Sequence, residues 1–155
     1  MPYSIEAVEA YPLPVARLFA FFAHPANVVA VAPPGMRLVE APEPMGVGKT
    51  FTVAVRRWGL SRRIVTEVVE WERDARVVEA QRSGPFKSWR LERRFRAVSE
   101  AECELAERIE YEPPGGLLGL TLTAARIEAE LKAAYQGRRE RVLALLVARD
   151  SVAGA

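Results

Sequence analysis

Few side chains in this sequence could do chemistry alone. It holds one histidine, His24, and one cysteine, Cys103, whereas a zinc site takes several such ligands. A single cysteine also leaves no internal disulfide. His24 could in principle be a general base, but no serine elbow and no neighbouring cysteine accompany it. Beside Pro25, at the end of a helical stretch, it reads as a capping or surface residue. Cys103 has no adjacent cation or helix start to activate its thiol, so it reads as a small buried apolar residue. GVGKT at 46–50 resembles the tail of a phosphate-binding loop. Position 43 is Glu where that motif needs Gly, however, and a strand-like stretch follows where the cradle needs a helix N-terminus. Arg56, Arg57, Arg62 and Arg63 gather at one hairpin tip. Such forks suit an anion, headgroup or phosphate; the alternative is four splayed, solvated side chains.

The elements that position these groups follow from period and punctuation. Tyr3, Ile5 and Val8 lie in an opening strand that Pro12 and Pro14 interrupt. Val15, Leu18, Phe19 and Phe22 share one helical face. A second short helix runs from Pro25 to Val31, and Pro33-Pro34-Gly35 ends it. From residue 36 the period becomes two. Strands are expected over 36–41, 49–58, 61–71, 76–82, 87–98 and 102–112, an antiparallel meander. Gly59-Leu60 is expected to form a two-residue turn, which sets Arg57 opposite Arg62 and Arg56 opposite Arg63. One long helix is expected over 120–149, about 45 Å at ~1.5 Å per residue. Its stripe runs Leu120, Ala124, Ile127, Leu131, Tyr135, Val142 and Leu145, interrupted at Arg138. Gly137 inside it costs about 1 kcal/mol relative to Ala and marks a kink or a close approach to the sheet.

Charge fixes the register of the last hairpin. If paired residues sum to 200, one face sets Arg90 against Glu110, Glu92 against Arg108 and Arg96 against Glu104, all favourable cross-strand pairs. The other face pairs Trp89 with Tyr111, Leu91 with Ile109, Phe95 with Leu105 and Ala97 with Cys103. That face is apolar and needs the long helix as cover. The same register puts Arg93 opposite Glu107 on the apolar face, where long charged side chains are seldom buried unless paired. The pair either pins the register or anchors a ligand.

Composition sets outer bounds. Half the residues are hydrophobic and 27% are charged, the profile of a globular chain with a full core. The length suits one domain, expected over 1–150, with 151–155 as a frayed tail. A net charge of +2 gives no strong nucleic-acid signal. No apolar run approaches the ~20 residues of a membrane span, and the first residues lack the pattern of a signal peptide. A cytoplasmic location is expected, with oligomeric state open.

The whole chain resembles the START-like (SRPBCC) superfamily. The resemblance rests on FAFFAHPANV at 19–28, PPGMRL at 33–38, GPFKSWRLERRF at 84–95, IEYEPPGGLLG at 109–119 and AYQGRRERVLALL at 134–146. More closely it resembles a bacterial ligand-binding subgroup related to polyketide cyclases, dehydrases and lipid-transfer proteins. Leu91 and Arg93 stand where that subgroup usually carries histidines. The resemblance implies an α+β helix-grip fold, a curved antiparallel sheet wrapped on a C-terminal helix. It further implies a hydrophobic small-molecule ligand such as a lipid, isoprenoid or aromatic polyketide. Expected ligand-binding residues are Phe51, Val53, Thr66, Val68, Trp89, Leu91, Arg93, Glu107, Ile109, Tyr111, Ile127 and Leu131. No cofactor and no metal are expected. Two other readings stay open. One is a cyclase- or dehydratase-type enzyme with Glu107 as acid–base, Tyr111 as proton donor and Arg93 as oxyanion partner. The other is an interaction module that uses the arginine tip.

Overall fold

The computed structural model describes residues 2–57 and 60–153. Seven strands form one antiparallel sheet: β1 (Tyr3–Tyr11), β2 (Met36–Glu40), β3 (Thr50–Arg57), β4 (Leu60–Glu72), β5 (Arg76–Ser83), β6 (Ser88–Ala97) and β7 (Cys103–Glu112). Their order is β1-β7-β6-β5-β4-β3-β2, so the first strand closes against the last. Two short helices, α1 (Val15–Phe22) and α2 (Pro25–Ala30), follow β1, and three helices follow β7. This is the α+β helix-grip architecture.

The β6–β7 register is the one the charges dictate, from Ser88 opposite Glu112 to Ala97 opposite Cys103. Position and partner are nevertheless separate matters for arginine. Arg96 bonds its opposite number Glu104 at 2.7 Å. Arg108, opposite Glu92, reaches Glu6 at 2.5 Å and Glu110 at 2.8 Å instead. Glu92 takes Arg76 at 2.6 Å and Arg94 at 2.9 Å.

The β3–β4 hairpin corrects a sequence expectation. Arg57 stands opposite Leu60, Arg56 opposite Ser61, Val55 opposite Arg62 and Ala54 opposite Arg63. The two expected arginine–arginine pairs therefore do not form. The expected turn at Gly59-Leu60 lies partly outside the described residues, as does Trp58. Apolar alternation fixes which face a residue occupies, but a slip of two residues preserves every face. Relief of like-charge opposition favours the observed register.

The long C-terminal helix is also corrected. It is three segments: α3 (Gly116–Thr121), α4 (Ala124–Tyr135) and α5 (Arg138–Ala153). Leu120, expected to open the apolar stripe, is exposed. Thr123 caps α4, its hydroxyl accepting from Arg126 N at 3.3 Å. Between α4 and α5, Gly137 adopts φ +71°, a left-handed conformation that costs other residues about 1–2 kcal/mol. Gly137→Ala is accordingly expected to destabilise by about that much. A continuous helix would instead gain about 1 kcal/mol from the same change. Urea unfolding distinguishes the two by sign.

Two apolar clusters occupy the concave face. One gathers Leu18, Phe19 and Phe22 of α1 with Phe95, Leu105, Cys103 and Val142. Phe19 meets Phe95 and Trp71 edge-on at 5.1 and 5.3 Å. The other gathers Leu91, Ile109, Tyr111, Leu122 and Ile127, with Phe86 and Trp89 alongside. On β6 and β7, Arg93 and Glu107 stand between them.

Candidate functional site

Between the sheet, α2 and α4 lies a cavity of about 310 Å³. Alternation along β3 and β4 brings Phe51, Val53, Val55, Ile64 and Thr66 to its wall, and β6 and β7 add Trp89, Leu91 and Ile109. Ile127 and Leu131 close it from α4, and Val28 and Val29 from α2. Ten of the twelve expected residues thus share one cavity, counting Arg93 and Glu107. Val68 does not reach it. It is buried in the solid cluster with Phe95 and Leu105, beyond the point where the concave face is packed full. Tyr111 does not reach it either. Its ring stacks on Tyr3 at 5.8 Å, and its hydroxyl donates to Ala124 O at 3.4 Å.

The cavity ends on a polar floor that a register argument could reach only in part. Arg93 Nε donates to Glu107 Oε1 at 2.8 Å, and Arg93 Nη1 to Glu79 Oε1 at 3.0 Å. Arg138, the first residue of α5, donates through Nη1 to both Glu107 oxygens at 3.0 and 2.9 Å. Its other nitrogens engage Glu9 of β1, the shortest contact being 2.5 Å. Tyr135 Oη donates to Glu107 Oε2 at 2.7 Å. Both guanidiniums also lie over the Phe22 ring, at 5.5 and 5.2 Å. Glu107 is only 3% exposed and Arg93 4%.

Burial alone would raise the Glu107 carboxyl. The Arg93 and Arg138 charges, helped by hydrogen bonds from Tyr135 and Arg138, outweigh it and hold the group at about 2. Burial and the neighbouring carboxylate push the Tyr135 phenol up, so it remains a donor. Burial opposes the charge on both arginines, yet the carboxylates around them raise both. These directions do not suit the acid–base roles read from the sequence. Glu107 is a spent acceptor and a very weak base, Arg93 is ion-paired with both Glu107 and Glu79, and Tyr111 lies outside the cavity. The phenol on the cavity wall is Tyr135.

Arg138, Tyr135, Glu79 and Glu9 were not among the expected site residues. Arg138 had a visible signal, as the one charge interrupting an apolar helical stripe. Tyr135 was legible only as a member of that stripe. Glu79 stands opposite Leu91, an inward position that a register for β5–β6 would have revealed.

At the opposite end the rim is set by Arg57 and Arg62, which share the inward face of the hairpin, while Arg56 and Arg63 take the outer face. Arg57 Nη2 bonds Glu130 Oε2 of α4 at 2.6 Å, tying sheet to helix across the cavity. Nearby, Gln81 Nε2 donates to Phe86 O at 2.8 Å. A Cβ on Gly84 would stand 2.4 Å from Gln81 Oε1, so a larger residue there would push the Gln81 side chain aside, whereas glycine lets the GPF turn sit on its amide. That pins Phe86 against Trp89, ring centres 4.8 Å apart.

The remaining candidates stay outside this site. His24 is half-exposed, 3.5 Å from Glu43, and precedes α2. Cys103 is buried, which pushes its thiol up. GVGKT is a loop leading into β3, with Gly48 N donating to Val68 O at 2.8 Å. Among the described residues, no group of three or more His, Cys, Asp or Glu could hold a metal ion. No helix there is long and apolar enough to cross a membrane.

No protein-family model and no curated protein matches the chain. Solved structures do. The Zhui aromatase/cyclase from Streptomyces sp. R1128 superposes with a TM-score of 0.73 at 15% identity, covering 100% of this chain and 99% of its own. A START superfamily protein from Mycobacterium smegmatis gives 0.62 at 13%, covering 90% and 98%. A norcoclaurine synthase point mutant from Thalictrum gives 0.62 at 13%, covering 92% and 95%. The sheet order, the helices and these superpositions together show that the chain has the helix-grip fold of these structures.

Proposed function

We propose that this protein binds and carries a hydrophobic small molecule, of lipid, isoprenoid or aromatic polyketide type, in the cytoplasm. The observation that carries the reading is the cavity of about 310 Å³, walled by aliphatic and aromatic side chains over a charged but internally paired floor. Ligand sites of this kind are apolar with a few convergent polar groups. The fold's solved examples include an aromatase/cyclase and a norcoclaurine synthase, but Glu107, the carboxylate at the centre of the floor, is held ionised by two guanidiniums and is a very weak base.

N-phenylnaphthylamine, which fluoresces in apolar surroundings, is the direct probe. It is expected to bind, and Val53→Trp, which fills the cavity from β3, is expected to weaken it at least tenfold. Filling a void should leave thermal unfolding within a few degrees of the parent. Equal affinity in a folded Val53→Trp variant would overturn the reading.

A further inference from the structure

We infer that the ligand is an amphiphile with an anionic head, held at the cavity rim by Arg62 while its apolar body lies inside. The inference rests on the binding reading above and specifies the ligand's chemical class. It comes from an uneven distribution of charge along the cavity. On the floor, two guanidiniums face three carboxylates, Glu9, Glu79 and Glu107. Glu79 uses one oxygen on Arg93, and its other oxygen has no hydrogen-bond partner among the described residues. An anionic group placed there would meet an excess of negative charge in a buried setting, where opposition is poorly screened.

The rim has the reverse balance. Arg57 and Arg62 line it with a single carboxylate, Glu130, and Glu130 is taken by Arg57. Arg62 is exposed, lines the cavity, and has no ion pair or hydrogen bond among the described residues. Its inward face follows from the β3–β4 register, in which Arg62 stands opposite Val55, a wall residue. A guanidinium fork matches a carboxylate or a phosphate through two parallel N–H donors. An acid that enters tail first leaves its head beside Arg62; one that enters head first meets Glu79. Arg63, one residue along, points to the outer face and has no part in this.

Displacement of N-phenylnaphthylamine by decanol, decanoate, decyl phosphate and decylamine tests the inference, since the four share one tail. At least one of the two anionic probes is expected to bind about fivefold more tightly than decanol, the size of a good exposed ion pair. The larger ratio identifies the head as carboxylate or phosphate. Salt should reduce the preference and leave decanol unchanged. Arg62→Gln should abolish it, and Arg62→Glu should transfer it to decylamine. Arg63→Gln should retain it. Anionic probes no tighter than decanol, or a preference that survives Arg62→Gln, would overturn the inference and leave the cavity reading standing. Failure of decanol and of the fluorescent probe to bind would overturn both.

Discussion

Glu107→Gln is expected to lower the unfolding free energy by about 3 kcal/mol, the low end of the cost of breaking a buried ion pair. The carboxylate accepts from Arg93, Arg138 and Tyr135 at once. An amide of the same shape cannot neutralise two guanidiniums, and its NH₂ would point at donors. The loss stays near the low end because Glu79 still serves Arg93 and Glu9 still serves Arg138. A paired replacement, Arg93→Met with Glu107→Gln, would restore most of the loss if the two formed an isolated couple. In a five-membered cluster it should not, because Arg138 then faces the amide and Glu79 loses its partner. Adding Arg138→Met should couple strongly to Glu107→Gln in a double-mutant cycle. Urea unfolding of the single, double and triple variants measures this. Additive losses would mean that the cluster is not one unit.

Acid should remove the same stabilisation. The Glu107 carboxyl is held at about 2 against an ordinary 4.5, so the unfolded chain takes up its proton first as pH falls. Its contribution is complete above about pH 4.5 and is lost on descending to about pH 2. At 1.36 kcal/mol per pH unit, the displacement is worth about 3 kcal/mol. Glu107→Gln cannot lose what it lacks. Its stability should therefore approach that of the parent as pH falls from 5 to 2. Denaturant melts at pH 7, 4 and 3 test the convergence, and parallel curves would contradict it.

How much of this was legible depended on whether a residue's environment left a mark on its own segment. The β6–β7 register was readable because alternating Arg and Glu on one face and apolar residues on the other permit only one pairing. Arg93 and Glu107 followed from it. The β3–β4 register was not readable to better than two residues, since all its faces survive such a slip. Gly137 reads from the sequence as a kink or a close approach to the sheet within one long helix, because composition cannot show the sign of φ. Arg138 then looked like a flaw in a stripe. Once Gly137 turns the chain, that position opens α5 and aims into the floor, bringing its charge to Glu107. Glu9 was hidden for a different reason: its partner lies 129 residues away, and no local pattern encodes a contact of that range.

The placement of β1 against β7 has a consequence for the order of assembly. Tyr3 pairs with Tyr111 and Tyr11 with Cys103, so the opening strand has no sheet neighbour until most of the chain exists. At a ribosomal pace of about 5–20 residues per second, it waits several seconds beside a meander that can already begin to pair. The floor waits longer, because Arg138 joins Glu9 only after α4 has been made. The cluster cannot be complete until Arg138, 129 residues beyond Glu9, has been made. Closing such distant contacts costs loop entropy before it returns any energy. Folding should therefore be slow for a chain of this length. The floor is complete only when Glu9 of β1 and Arg138 of α5 have met.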